Sequence, residues 1–139
     1  MSDDANEQPK EDTTPGIFSW NELMSPDAEG SAKFYESMFG WTREKMPMPG
    51  GFDYHFFRCG ERPVAGMIQL TPEMQMGECP PFWGSYVTVE NADESVAKAK
   101  ELGAEVLKEV TELPMGRFAV LKDPQGAVIS IWEFGEGKC

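Results

Sequence analysis

Among its 139 residues the chain has a single histidine, His55, and that scarcity removes whole classes of chemistry. Metal sites built on two or three imidazoles are excluded within one copy. A Ser-His-Asp triad would have to run through His55, inside DYHFFRC, where no nucleophile-elbow sequence accompanies it. Cysteine is nearly as scarce. Cys59, Cys79 and Cys139 are an odd number at spacings that suit neither a zinc site nor a disulfide framework, and they read as reduced thiols. A Cys-His pair through His55 has no motif behind it. No glycine-rich loop opens a helix, because Gly50 and Gly51 fall between two extended segments, so no phosphate cradle is read. No apolar run is long enough to cross a membrane and no secretory h-region is found, which sets a cytoplasmic expectation. Basic residues are few, 12 against 24 acids. The resulting net charge of −12 argues against nucleic acid and anionic membrane as partners, since both demand a concentrated basic surface.

What is present is enough for one domain. Apolar residues make up 40% of the chain and aromatics 12%, as in a globular protein with a hydrophobic core. They are unevenly placed. Residues 1–15 carry five acids against one lysine and, after Met1, no aromatic or large aliphatic side chain. That composition predicts a disordered acidic arm, and residues 16–139 hold the folded part.

The folded part is a two-fold internal repeat. FSWNELMSPDAEGSAKFYESMFGW, from Phe18 to Trp41, opens with apolar alternation and passes to apolar spacings of three and four, the change of period expected where a strand feeds a helix. Asp27 is placed as the N-cap and Gly40 as the left-handed stop. WGSYVTVENADESVAKAKELGAEV, from Trp83 to Val106, repeats the order, with Asn91 or Asp93 near the helix start and Leu102-Gly103 answering Phe39-Gly40. Three extended segments follow each helix, at 41–46, 52–58 and 63–70, then at 105–108, 117–122 and 127–134. The fold class is therefore α+β, βαβββ twice, with module one at 16–74 and module two at 80–135.

These modules, the D-x6-F-Y-x3-F-G-W run from Asp27 to Trp41 and the strand-turn-strand GRFAVLKDPQGAVISIW from Gly116 to Trp132 resemble the vicinal oxygen chelate superfamily, which includes glyoxalase I, extradiol dioxygenases and bleomycin-resistance proteins. The resemblance implies two modules whose mixed sheets form a curved cup, helices outside, with the ligand on the concave face. It also implies four inward metal-ligand positions, on the first and fourth strands of each module. Here these fall on Trp20, Gln69, Gly84 and Ser130, of which only Gln69 offers an oxygen suited even weakly to a metal ion. The expectation is a metal-free member with no cofactor.

Strand alternation then assigns the cup. Phe18, Glu22 and Met24 should join Trp20 inside, with Ala65 and Met67 beside Gln69, Tyr86 and Thr88 beside Gly84, and Val128 and Trp132 beside Ser130. Val64, Ile68, Leu70, Val87, Val89, Ile129 and Ile131 should lie beneath the helices. The candidate ligand-binding residues are Trp20, Met24, Met67, Gln69, Tyr86, Thr88, Ser130 and Trp132, suited to an aromatic or apolar small molecule. The same aromatics would equally serve as core if the cup is filled. Glu22 is the candidate catalytic residue, a carboxylate whose charge desolvation would disfavour; a solvated rim position, paired with Arg117 or Lys122, is the alternative. Arg117 is a further candidate to hold an acidic ligand group, though strand spacing does not assign it. Three functions follow: a small-molecule-binding protein; a lyase, isomerase or dioxygenase-like enzyme using Glu22 or an unrecognised metal site; and a partner-binding module. Many single-domain members of the superfamily dimerise, so the resemblance admits a homodimer.

Overall fold

The computed structural model describes residues 13–72 and 80–135. Most of the acidic arm, Cys79 and Cys139 lie outside the described residues. The chain divides into two units, Asn21–Trp83 and a second that joins Gly84 onward to the residues just before Asn21. Each is built as βαβββ, and the fold is α+β.

In the first unit β1 (Phe18–Ser25) leads into α1 (Ala28–Phe39), followed by β2 (Thr42–Met48), β3 (Phe52–Cys59) and β4 (Arg62–Gln69), in the sheet order β2-β3-β4-β1. The antiparallel strands β2, β3 and β4 are joined by turns at Gly50-Gly51 and Gly60, where positive φ makes glycine the fitting residue. β1 pairs with β4 in parallel, Leu23 opposite Met67 and Ser25 opposite Gln69. Leu23, Phe57, Ala65 and Met67 form the sheet's half of a core closed by Ala28 and Ala32 of α1. Phe57 and Met67 are fully buried, each contributing about 2–3 kcal/mol by removal from water.

The second unit repeats this with β5 (Phe82–Thr88), α2 (Ala92–Glu101), β6 (Glu105–Leu113), β7 (Gly116–Lys122) and β8 (Val128–Phe134), in the order β5-β8-β7-β6. Its core is Ala92, Val96, Ala119, Leu121 and Ile131. The main chain of Gly16 and Ile17 bonds to that of Thr88. β6 runs to Leu113, well past the expected end at 108, because register shifts between Val106 and Thr111 let it continue against β7.

Both helices start as their sequences require. The Asp27 side chain accepts from the Gly30 N–H and the Asn91 side chain from the Glu94 N–H, which settles the second cap on Asn91. Gly40 takes the left-handed conformation and its N–H donates to the Glu36 carbonyl. A second device is shared by the two units. Gln69, at the end of β4, accepts from the Ala28 N–H at 2.8 Å and donates to the Pro26 and Leu70 carbonyls. Glu133, on β8, accepts from the Ala92 N–H at the same distance and is gripped by Arg117. In each unit the last strand thus satisfies a free donor of the first helical turn.

Gln69→Ala and Glu133→Ala should each lower unfolding free energy by about 1–2 kcal/mol in urea denaturation, with the m-value unchanged. A substitution of either residue without effect on the midpoint would show that these hydrogen bonds do not hold the helix starts.

Candidate functional site

Because Gln69 and Glu133 reach the helices, strand alternation sends their neighbours to the other face. On β4 this corrects the expected phase. Ala65 and Met67 lie in the core beneath α1, Gln69 is engaged at the helix start, and Gly66 and Ile68 occupy the face turned away from the helix. Met67 and Gln69 are therefore absent from the face that carries Glu22 and Met24. The slip arose because VAGMIQL is apolar at both parities, so alternation alone leaves its phase open.

On that face of the first unit, Glu22 is the central feature. It is 8% exposed and accepts a 2.7 Å hydrogen bond from the Tyr54 hydroxyl. Glu22 stands on β1 and Tyr54 on β3, with β4 between them. The phenol crosses β4 at Gly66, the parallel partner of Glu22, and any Cβ at position 66 would overlap the Tyr54 hydroxyl. Phe56 stacks edge-on against Tyr54 at 4.9 Å, and half-buried Met24 pairs with Ile68. Glu22 is thus buried and hydrogen-bonded. Tyr54 and Gly66 escaped the sequence reading, although the tyrosine alternates with Phe56 along the same strand and a lone glycine inside a strand marks a close approach.

In the second unit the expected phase agrees with the structure. Tyr86 pairs with Ser130 and Thr88 with Trp132, while Ile131 lies in the core beneath α2. Tyr86, Trp132 and Phe118 form an aromatic group, with Tyr86 6.4 Å from each of the other two rings. Trp132 lies over Gly116, where a Cβ would collide with the indole. Ser130 is 8% exposed and Thr88 2%. The Thr88 hydroxyl has no hydrogen-bond partner among the described residues; a buried hydroxyl in that state is uncommon and costs about 1–3 kcal/mol. The Ser19 hydroxyl, also buried, shares that condition. Trp20 is half-buried, Val128 and Phe18 are exposed.

A further expectation is corrected. Arg117 is held by Asp93 at 2.7 Å and by Glu133, so its guanidinium braces the start of α2 and does not pair with Glu22 or wait for an acidic ligand. Its pKa is raised, chiefly by the hydrogen bonds to Asp93 and Glu133. His55 is a buried residue on the α1 side, 3.5 Å from Arg43, whose guanidinium forms a two-pronged bond with Glu29. Desolvation, then the Arg43 charge, holds the His55 pKa below its ordinary value.

The donor set does not fit a metal ion of the kind the superfamily's metal enzymes use. Among the described residues no three His, Cys, Asp or Glu side chains converge, and the Gln69 amide is engaged by backbone groups. Among the described residues, clefts of about 470 and 440 Å³ lie beside α2 and beside α1 respectively, away from the faces just described. No helix among the described residues is long and apolar enough to cross a membrane.

Comparison with known proteins gives a consistent family. A family model described as Glyoxalase/Bleomycin resistance protein/Dioxygenase superfamily matches residues 17–131. "Putative glyoxylase CFP32" of Mycobacterium tuberculosis (strain CDC 1551 / Oshkosh) is 37% identical over 117 residues, covering 84% of this chain and 43% of that protein. "Anthracycline biosynthesis protein DnrV" of Streptomyces peucetius is 31% identical over 132 residues, covering 87% of this chain and 48% of that protein. The chain thus spans about half the length of the curated relatives it matches. Among solved structures, a Streptomyces coelicolor methylmalonyl-CoA epimerase aligns with a TM-score of 0.65 over 91% of this chain and 99% of that one. At 12% identity that likeness is one of fold.

Two measurements follow from this geometry. Gly66→Ala should destabilise the protein by more than about 2 kcal/mol, and Tyr54→Ala in the same chain should recover part of that loss, a coupling read by a double-mutant cycle in urea. For His55 the folded pKa lies below the unfolded value of about 6.5, so the unfolded chain takes up the proton first. Its contribution is complete above about pH 6.5 and is lost as pH falls through the folded pKa. The urea midpoint should fall between about pH 7.5 and 5.5, and His55→Phe should shrink that fall.

Proposed function

Since the chain belongs to the Glyoxalase/Bleomycin resistance protein/Dioxygenase superfamily, we propose that it is a small-molecule-binding member of that group working without a metal ion or other cofactor. The observation that carries this reading is the buried Thr88 hydroxyl, which lacks a partner among the described residues yet sits beside Trp132, Tyr86 and Ser130. A fold that keeps an unsatisfied hydroxyl next to an aromatic group loses stability unless something else satisfies it. A ligand with a flat ring and one hydrogen-bonding group would do so. Trp132, Tyr86 and Phe118 would supply dispersion and edge-to-face contact, and Thr88 and Ser130 would orient the polar group. The Streptomyces peucetius relative, named for anthracycline biosynthesis, fits the same ligand chemistry, a flat fused-ring compound. Trp20, a partly buried side chain of the same unit, remains assigned to this ligand, and Met24 stays a candidate on the Glu22 face of the first unit.

The metal-free part of the proposal is supported by the donor chemistry already described, above all by Gln69, whose amide holds the start of α1. A divalent ion needs several anionic or imidazole donors to replace its hydration shell. We also assign the protein to the cytoplasm, where the exposed thiol of Cys59 would stay reduced.

A second reading, an enzyme of the lyase or isomerase type, is favoured by the Glu22–Tyr54 pair. A buried carboxylate fixed by a phenol on an aromatic face is arranged as a proton acceptor would be, with Tyr54 orienting it. In that case Glu22→Gln would abolish turnover while leaving ligand binding in place.

The two parts of the leading reading are tested separately. Thr88→Val should raise the urea midpoint, worth about 1 kcal/mol, and weaken binding of a neutral anthraquinone probe about threefold to tenfold, followed by tryptophan fluorescence. Trp132→Phe should remove most of the fluorescence response. A valine variant that is less stable, or that binds the probe unchanged, would remove Thr88 from the site. The purified chain, incubated with zinc, nickel, manganese and iron(II) and then desalted, should retain no stoichiometric metal; retention that disappears in Glu22→Gln would overturn the metal-free reading.

A further inference from the structure

The face of the first unit that carries Glu22 continues across β3 onto β2. Phe52, Tyr54 and Phe56 alternate along β3, and across the antiparallel ladder Met48 pairs with Phe52 and Met46 with Tyr54. Paired residues share a face, so both methionines lie on the Glu22 side of the sheet. Phe52 and Met46 are exposed there, whereas Glu22 is buried. The Tyr54 and Phe56 rings, 4.9 Å apart and inclined at 70°, make a corner whose phenol reaches the carboxylate.

A carboxylate buried on a face of rings and thioethers is costly unless hydrogen bonds or opposite charge compensate it. The Tyr54 phenol donates a hydrogen bond and leaves the negative charge in place. The basic side chains of β2 and β3 are directed elsewhere. Arg43 and Lys45 stand opposite Phe57 and His55, on the α1 side, and Arg58 is held by Glu44.

We propose that this face is a subsite for an organic ammonium ion, a protonated amine carried on an apolar or flat body. Its N–H groups donate to the Glu22 carboxylate while the Tyr54 and Phe56 rings receive the positive charge. A carboxylate has about four acceptor sites, of which the phenol takes one. Ring faces attract cations through their quadrupoles, and polarisable methionines adapt to apolar bodies of varied shape. The chain's net charge of −12 draws cations toward the protein and repels anions. A divalent metal ion is the wrong occupant, because one carboxylate does not replace its hydration shell, whereas one carboxylate matches one ammonium. The subsite lies wholly within the first unit; it extends the small-molecule-binding reading and does not depend on Thr88.

The probes are naphthylmethylamine, charged at about neutral pH, and naphthylmethanol, its neutral counterpart of the same size. In isothermal titration calorimetry on the full chain, the amine should bind at least about tenfold more tightly than the alcohol. Glu22→Gln, which keeps an acceptor for the Tyr54 hydroxyl, should bring the two affinities together, and Thr88→Val should leave the preference intact. With isotope-labelled methionine methyl groups, the amine should shift the resonances of Met24, Met46 and Met48. If Glu22→Gln fails to fold, Phe56→Leu decides, lowering the preference for the amine at least about threefold. A preference that survives Glu22→Gln would overturn the proposal, as would one lost in Thr88→Val, which would place the amine on the second unit. Equal affinity for the two probes, or binding of neither, would overturn it too, and the anthraquinone measurement at Thr88 would be untouched by that result.

Discussion

A hydrogen bond between the last strand and the first turn of the helix, made once in each unit, fixes nearly everything else. Gln69 accepts from the Ala28 N–H, and Glu133 from the Ala92 N–H. Helix starts leave donors without partners, and a side chain delivered from a neighbouring strand meets that need while fastening helix to sheet. It also sets parity. Once position 69 or 133 faces the helix, the residues before it alternate rigidly, so Met67 and Ile131 enter the cores while Ile68, Gly66, Trp132 and Ser130 take the opposite face. A slip of one residue would bury the wrong set.

The two units use this scaffold to present different chemistry at equivalent places. Glu22 pairs with Gly66 in the first unit as Tyr86 pairs with Ser130 in the second, each on the face away from its helix. In one unit the absent side chain at Gly66 admits the Tyr54 phenol, which reaches over β4 to a buried carboxylate. In the other, Ser130 and the tryptophan after it give a surface of rings and hydroxyls. The first arrangement satisfies its own polar groups across three strands. The second leaves the Thr88 hydroxyl without a partner among the described residues, at a cost of about 1–3 kcal/mol.

Much of this was legible in the residues. The change of apolar period, Asp27 as one cap, Asn91 or Asp93 as the other, and Gly40 as a stop yielded both helices and the doubled βαβββ order. The alternation of β5 and β8 relative to the helix was also readable, because valines and isoleucines alternate there with tyrosine, threonine, serine and tryptophan. β4 was not readable in the same way, since Ala65, Met67 and Ile68 are apolar at both parities. The repeat itself held the remedy. Residues 27 and 28 are answered by 91 and 92, and applying the same spacing to Ser130 lands on Gly66, whereas counting along the strand pointed to Gln69. Tyr54 stayed hidden for a different reason: its role exists only across three strands, and no local pattern encodes a contact between residues 22 and 54.

Sharing a fold with methylmalonyl-CoA epimerase therefore constrains less than it first suggests. The βαβββ frame fixes which positions face away from the helices, and the side chains found there decide what they can hold. In this chain those positions carry Glu22, Met24, Ile68, Tyr86, Thr88, Ser130 and Trp132, a set with one carboxylate and no imidazole. The lone histidine is on the opposite face, beside Arg43, where burial and a neighbouring positive charge both favour its neutral form. That location gives His55 a part in how the first unit withstands acid and none on the face that Glu22 and Tyr54 occupy. What that face offers is one buried carboxylate held by a phenol, and Gly66 keeps the carboxylate within reach of that phenol.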